Sequence, residues 1–257
     1  MKLNLVPART GILWVKLGIR TFFKQPLALA GLFFMFMAVM TIASQVPVIG
    51  FALAMTLLPA ATLGLMVATR EAIDGRFPMP VVLLAAFRAG RLQARAMLLL
   101  GGLYALGFLI AIGLSYLVDG GDFARVYLGG ASPTREMMLE PSFQGAMWTF
   151  IGSHLPLSLA FWHAPALVHW HGLPPLKSLF FSLVACLRNF WAFAVFALMW
   201  LAVLVLVVAG VTTIGALLNQ SGLAADLLFP ALLLLASMFF SSLYFTFRDT
   251  FDQSAQA

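Results

Sequence analysis

Apolar runs of about 20 residues or more, without alternation, dominate this chain. Six are legible, at residues 26–43, 48–69, 96–118, 144–168, 190–217 and 223–247. Runs of that length without a period of two predict membrane-spanning helices and exclude barrel strands. The breaks between some of them are very short. Residues 44–47 (SQVP) make up one whole turn, and residues 219–222 (NQSG) make up another. Turns this short force successive spans to lie antiparallel and adjacent. The predicted fold class is all-α: a polytopic membrane helix bundle of six transmembrane helices.

A different periodicity precedes alternate spans. In residues 9–24, Lys16, Arg20 and Lys24 fall at i, i+4, i+8, with Arg9 on the same side at ~100° per residue. Val15, Ile19 and Phe22 lie opposite. The pattern predicts an interfacial helix whose basic edge meets headgroups and whose apolar face lies in the acyl boundary. Arg88, Arg91 and Arg95 (i, i+3, i+7) predict a second such stripe, and Lys177 and Arg188, eleven residues apart, a third. These eight cations are the candidate lipid-headgroup residues. Pro26 opens the first span at the helical position where proline is tolerated.

The spans also repeat. Pro59 is followed by Gly75 and Pro78; Pro156 is followed at the same offsets by Gly172 and Pro175; a degraded copy follows Pro230. The reading is three parallel hairpin repeats, each preceded by a basic amphipathic interfacial helix. They occupy residues 9–79, 80–173 and 174–250 of one transmembrane domain, 1–257. Ala60, Gly64 and Ala68, then Gly101 with Ala105 and Gly107 with Ala111, are small residues at four-residue spacing and predict close helix packing. Pro59 is expected to kink its span. Residues 119–143 are the one sizeable hydrophilic loop. They read as a connector holding a short helix near 134–139, with Ser132 as its cap and Pro133 at its first position.

Composition agrees. The chain is 62% hydrophobic and 9% charged, against about 25% charged in soluble domains. A net charge of +6 could indicate nucleic acid, but its distribution points to membrane orientation. All of the fifteen Lys and Arg except Arg125 and Arg135 fall on one side of the predicted topology. By the positive-inside rule that side, with both termini, is cytoplasmic. The first span is too far from the start to read as a secretory signal. Lone Cys186 excludes an internal disulfide.

Chemistry-bearing groups are few. His154 and His163 lie within the fourth predicted span, where an ionisable side chain is a functional candidate. Nine residues apart, they point about 180° from each other on a straight helix, so one site uses both only if Pro156 rotates the helix. Hydrogen-bonded packing and haem or metal ligation are the competing readings, and no Cys, His or acid partner stands at useful spacing. Trp170, His171 and Gly172 fall at the cytoplasmic interface, where Trp is enriched. Asp226 lies near the outer end of the sixth span. No phosphate-binding loop, zinc-protease helix or nucleophile elbow is present. No catalytic, metal-ligating or cofactor-binding residue is assigned, and no enzyme activity is expected.

VPARTGILWVKLGIRTFFKQPLALAG, the P-x15-G-x2-P unit and FWHAPALVHWHGLPPLKSLFFSLVACLRN, with its WHG-x-P-P motif at Trp170, His171 and Gly172, carry a resemblance. They resemble a proteobacterial family of multi-pass inner-membrane proteins with a domain of unknown function. The resemblance implies an inner-membrane location and a six-helix layout, with no substrate and no catalytic residues. The expected role is non-enzymatic, in envelope organisation or lipid association, with the lipid bilayer and anionic lipids as partners and no nucleic acid. The alternative is a transporter or channel subunit for a small or amphiphilic solute. A cofactor-binding redox protein is a third reading. The small-residue faces also allow a homo-oligomer or a membrane-protein partner.

Overall fold

The computed structural model describes residues 2–46, 49–218 and 221–251, and only the backbone of residues 221 and 223–225. Pro47, Asn219, Gln220 and the tail after Phe251 lie outside the described residues. The described chain is helical throughout: α1 (Thr10–Lys24), α2 (Pro26–Ser44), α3 (Gly50–Ile73), a 3-10 turn (Pro80–Leu84), α4 (Ala85–Arg88), α5 (Arg91–Asp119), α6 (Asp122–Tyr127), α7 (Arg135–Leu139), α8 (Pro141–Phe161), α9 (Ala164–His171), α10 (Pro175–Arg188), α11 (Phe190–Leu217) and α12 (Ser221–Thr250). Among the described residues, five helices are long and apolar enough to cross a membrane: α2, α3, α5, α11 and residues Asp226–Thr250 of α12. Each coincides with an expected span. Helix α3 continues through Pro59, and α12 through Pro230.

The fourth expected span differs. Residues 144–168 do not form one helix; α8 ends at Phe161 and α9 begins at Ala164. Gln144, Thr149, Ser153, His154 and Ser158 also make α8 more polar than the five. The break has a specific cause. Pro165 has no N–H to give to the carbonyl of Phe161. Two rungs earlier, the hydroxyl of Ser182 sits between two groups that would otherwise bond each other. Its oxygen accepts from the His163 N–H at 2.9 Å and donates to the Leu159 carbonyl at 2.9 Å. A side chain inserted into the i→i−4 ladder opens a helix.

The repeated glycines do share a conformation. Gly75 (φ 78°) and Gly172 (φ 61°) are both left-handed and both follow a helix end. At Gly75 the N–H groups of Gly75 and Arg76 return to the carbonyls of Ala72 (3.3 Å) and Glu71 (2.9 Å), a Schellman pair. At Gly172 the N–H reaches the carbonyl of Leu167. The chain then diverges, into a 3-10 turn after the first and a 14-residue helix after the second.

The chain divides into two compact units. The first comprises Met1–Thr41, Ala60–Arg91 and Val184–Ala257. Its core is α1 laid against α11 and α12, with α2 joined to α12 through Phe33 and Phe36 on Phe240 (ring centroids 5.5 and 5.6 Å). The Ser237 hydroxyl donates to the Leu29 carbonyl at 3.2 Å. Gly64 meets the 3-10 turn: a Cβ there would lie 2.7 Å from Cα of Leu83. Gly64 therefore serves the close approach of that turn to α3.

The second unit comprises Ile42–Pro59 and Leu92–Leu183. Phe108, Phe123, Phe143 and Phe150 form its core, with Ala111, Ile112 and Ala146. Gly101 lies so close to the backbone carbonyl of Thr56 that a Cβ would occupy the oxygen's place. The loop 119–143 is folded into this unit through Phe123. Its short helix α7 is capped by Thr134, whose hydroxyl accepts from the Met137 N–H at 3.2 Å. The expected cap at Ser132 with Pro133 at the first position is corrected to Thr134. Thr134 has the extended backbone and the N3 partner that an N-cap requires.

Candidate functional site

The basic edges come first. On α1, the residues Gly11, Trp14, Val15, Gly18, Thr21 and Phe22 are buried, a stripe at i, i+3, i+4, i+7. Lys16, Arg20 and Lys24 are exposed on the other side. The predicted helix and its basic edge are present, but the apolar face is not in an acyl boundary. It is packed on protein. Trp14 sits 5.2 Å from Phe193 and 6.0 Å from Phe196 between ring centroids. Its indole N–H donates to Oδ2 of Asp249 at 3.0 Å. A Cβ on Gly18 would lie 2.5 Å from Cβ of Ser242. An amphipathic period records burial on one side and does not distinguish lipid from protein.

The second stripe is also corrected. Arg88 ends α4 and Arg91 begins α5, and Gly90 between them has φ 113°. The spacing i, i+3, i+7 therefore does not lie on one helix, and only Arg91 and Arg95 share a helical face. The third stripe holds: Lys177 and Arg188 are both on α10 and both exposed. Arg88, Arg91 and Arg95 are exposed as well. The three ion pairs among the described residues are Arg76–Asp74, Arg125–Asp122 and Arg248–Asp249. None of the eight candidate cations takes part in them.

The histidines receive separate surroundings. His154 is half-buried on α8. Its ring stacks on Phe150 (5.1 Å, 23°) and meets Phe108 edge-on (5.6 Å, 84°). Its Nδ1 lies 3.0 Å from the Ser158 hydroxyl. His163 is wholly buried and caps the start of α9, where its backbone meets Ser182. A straight helix does not connect them, so the expected 180° opposition does not apply. His169 and Trp170 rings are 5.8 Å apart, and the His169 carbonyl accepts from Gln93 at 3.4 Å. His171 is half-buried, and burial lowers its basicity below that of a free imidazole. Gly172 is exposed, and its role is the left-handed turn. Cys186 is buried, and burial pushes its thiol up to about 12, so it stays protonated and unreactive. Among the described residues no three His, Cys, Asp or Glu side chains gather as a metal site would require.

Two features escaped the sequence reading. One is Asn189, 3% exposed between α10 and α11. Its Oδ1 accepts from the Val6 N–H at 2.8 Å, and its Nδ2 donates to the carbonyl of Asn4 at 3.1 Å. An Asn-4 N–H bond to Thr250 (2.8 Å) and a bridge between Leu3 and Phe251 complete a clasp. Partners more than 180 residues apart leave no local signal. The other is the pair Phe123 and Tyr127, which face the aromatic cluster from α6. Their i, i+4 spacing in a polar loop was the available clue.

Removing the Ser182 hydroxyl tests the helix break. Ser182→Ala should lower stability by about 1–3 kcal/mol, because the His163 N–H and the Leu159 carbonyl lose their partner in a helix that Pro165 keeps from closing. Ser182→Thr, which keeps the hydroxyl, should recover most of the loss. Thermal unfolding in detergent would read both, and equal melting of Ser182→Ala and the parent would refute the role.

No family model matches the chain, and no solved structure matches it. It is 37% identical over 254 residues, 98% of its own length and 94% of the relative's, to a protein of Burkholderia thailandensis named a probable inner membrane protein. With that identity along nearly its whole length, the chain belongs to the same family of multi-pass inner-membrane proteins.

Proposed function

We propose that the protein is a non-enzymatic inner-membrane protein that associates with anionic lipids through its basic edges and serves envelope organisation. The observation that carries this reading is the state of the eight cations. Lys16, Arg20, Lys24, Arg88, Arg91, Arg95, Lys177 and Arg188 are all exposed and outside the ion pairs of the described residues. Juxtamembrane cations of this kind attract anionic headgroups. Docking of α1 on α11 and α12 holds its three in a fixed row.

Parity supports the six-span layout. The clasp brings residues 3–6 to the end of α12, which supports one membrane face for both and an even number of crossings between them. Five helices qualify by composition; α8, at 21 residues, is long enough for the sixth. The positive-inside rule makes that face cytoplasmic. The common left-handed ends at Gly75 and Gly172 favour the repeat reading.

The test is native mass spectrometry of the protein released from phosphatidylglycerol-containing nanodiscs. Each cation near an anionic surface contributes about 1 kcal/mol. Neutralising Lys16, Arg20 and Lys24 together to Gln should therefore reduce retained anionic lipid by roughly two orders of magnitude at low salt. Unchanged retention would sink the proposal.

A second reading, transport of a small or amphiphilic solute, is favoured by the open rung at His163 in a broken helix. Discontinuous helices near the membrane midplane form the sites of many transporters. Reconstituted vesicles that move no proton, cation or amphiphile at any pH would remove it.

A further inference from the structure

At the end of α5 remote from Arg91 and Arg95, the second unit holds a cavity of about 430 Å³. Ile112, Gly113 and Tyr116 of α5 form one wall, and Ala124 and Arg125 of α6, with Leu128 just beyond its end, form the other. It is open on one side and its surface is almost wholly apolar, and Arg125, whose side chain is largely exposed, is among its lining residues. That size and lining fall within the range of sites that take a small apolar ligand with few polar contacts.

The walls are fixed by local chemistry. Asp119 accepts from the N–H groups of Gly121 (2.8 Å) and Phe123 (2.6 Å), which sets the start of α6. Gly121 has φ 101°, and a Cβ there would overlap the Tyr116 ring. At the other end of α6, the N–H groups of Gly129 and Gly130 return to the carbonyls of Val126 (3.1 Å) and Arg125 (2.8 Å). Phe123 anchors the opposite face of α6 in the aromatic core.

The depth of the cavity follows from α5. Arg95 and Tyr116 are 21 residues apart on one helix, about 32 Å along its axis. The hydrocarbon layer is ~30 Å thick. With Arg95 at one headgroup layer, Tyr116 lies at the other, where tyrosine is favoured. Ile112 and Gly113 reach into the acyl region, and Arg125 and Asp122 stand among headgroups.

We propose that this cavity binds one acyl chain of a zwitterionic phospholipid whose phosphate meets Arg125 and whose ammonium meets Asp122. The two side chains pair at 3.0 Å and remain open to solvent, at 66% and 37% exposure. Asp122 takes one guanidinium nitrogen, which leaves the other donors for phosphate oxygens. A neighbouring cation and anion match the phosphate and ammonium of one headgroup. Transfer of an acyl chain from bilayer to cavity gains little, because lipid tails are as apolar as the wall. Selectivity therefore resides in the headgroup pair and in the cavity's shape. This site is at the opposite end of α5 from Arg91 and Arg95, and its ligand contacts use none of the eight candidate cations.

The test uses the full chain in vesicles containing a trace of phosphatidylethanolamine that carries a diazirine at the end of one acyl chain. On irradiation, labelling should concentrate on residues 112–116 and 124–128. Phosphatidylglycerol and diacylglycerol probes of the same chain should label these residues on the order of tenfold less. Gly113→Leu should abolish the concentrated labelling: Gly113 lines the cavity, and a Cβ there meets nothing within 4 Å, so added bulk is tolerated by the helix. Leu128→Trp blocks it from the other wall if Gly113→Leu does not fold. Arg125→Gln should erase the preference for phosphatidylethanolamine, while neutralising Lys16, Arg20 and Lys24 should leave it intact. Labelling spread evenly over lipid-facing residues and indifferent to both cavity-filling variants would overturn the proposal, as would a preference for the phosphatidylglycerol probe.

Discussion

Trp14→Ala is expected to destabilise the protein by about 3–5 kcal/mol from the cavity alone. Trp14 is 0% exposed and is the largest side chain on the buried face of α1. It fills the space beside Phe193 and Phe196, aromatic residues that α11 cannot move without repacking against α12. The indole N–H adds a bond to the carboxylate of Asp249, and bonds to charged groups contribute about 1.5–3 kcal/mol. Trp14→Phe keeps part of the aromatic volume and removes the donor, so it weighs the hydrogen bond more heavily than Trp14→Ala does. It should cost about 1.5–3 kcal/mol. Beyond melting temperature, there is a local readout. Lys16, Arg20 and Lys24 follow Trp14 on the same helix, so release of α1 should make the chain sensitive to trypsin there. Trp14→Ala with unchanged melting and unchanged cleavage would show that α1 is not held by this residue.

Adjacent glycines should give opposite results. At Gly101 a Cβ would fall on the carbonyl oxygen of Thr56. Backbone cannot rotate aside as a side chain can, so α5 must move bodily away from α3. Gly101→Ala should cost ~3 kcal/mol, the upper end of ordinary overpacking. Gly102, one residue on, faces open space with nothing within 4 Å. Gly102→Ala should instead stabilise the protein by about 0.5–1 kcal/mol, the usual gain of Ala over Gly within a helix. The two substitutions add the same methyl group to the same helix, so intrinsic propensity cancels in their difference. Similar melting temperatures would show that α5 and α3 do not meet at this carbonyl.

Much of this architecture was written in the pattern of the chain. Helices α2, α3, α5, α11 and α12 coincide with apolar runs because a bilayer demands length and internal hydrogen bonding. The start and end of α1 were also legible, since its period of 3.6 residues is sustained up to Pro26. The destination of its apolar face was not legible. Val15 and Phe22 have the same spacing whether they meet acyl chains or the side of α12. The break at His163 was half visible. Pro165 withdraws one donor, but the group that opens the ladder is Ser182, on another helix. Arg88, Arg91 and Arg95 looked like one stripe because spacing assumes a continuous helix, and Gly90 interrupts it with a positive φ. Of the site residues, the exposure of the eight cations follows from their charge alone. The recruitment of Phe123 into the core of the second unit depended on tertiary contacts that a polar loop conceals.

The clasp between the two ends of the chain sets an order of events during biosynthesis. Asn4 and Val6 leave the ribosome well before their partners, Asn189 and Thr250. Translation at about 5–20 residues per second places those partners tens of seconds later. Through that interval α1 has neither α11 nor α12 to cover Trp14 and Phe22. The membrane surface is the one apolar phase open to it, and its basic edge suits that surface. The nascent helix is therefore expected at the interface until α11 and α12 are made, a state that crosslinking of a stalled chain to lipid would detect. A chain stopped before Asn189 keeps α1 on the lipid, and the finished chain withdraws its apolar face into protein. Closure of the clasp thus waits on the synthesis of Asn189 and Thr250, and a membrane protease able to reach α1 would find its apolar face before that point and not after it.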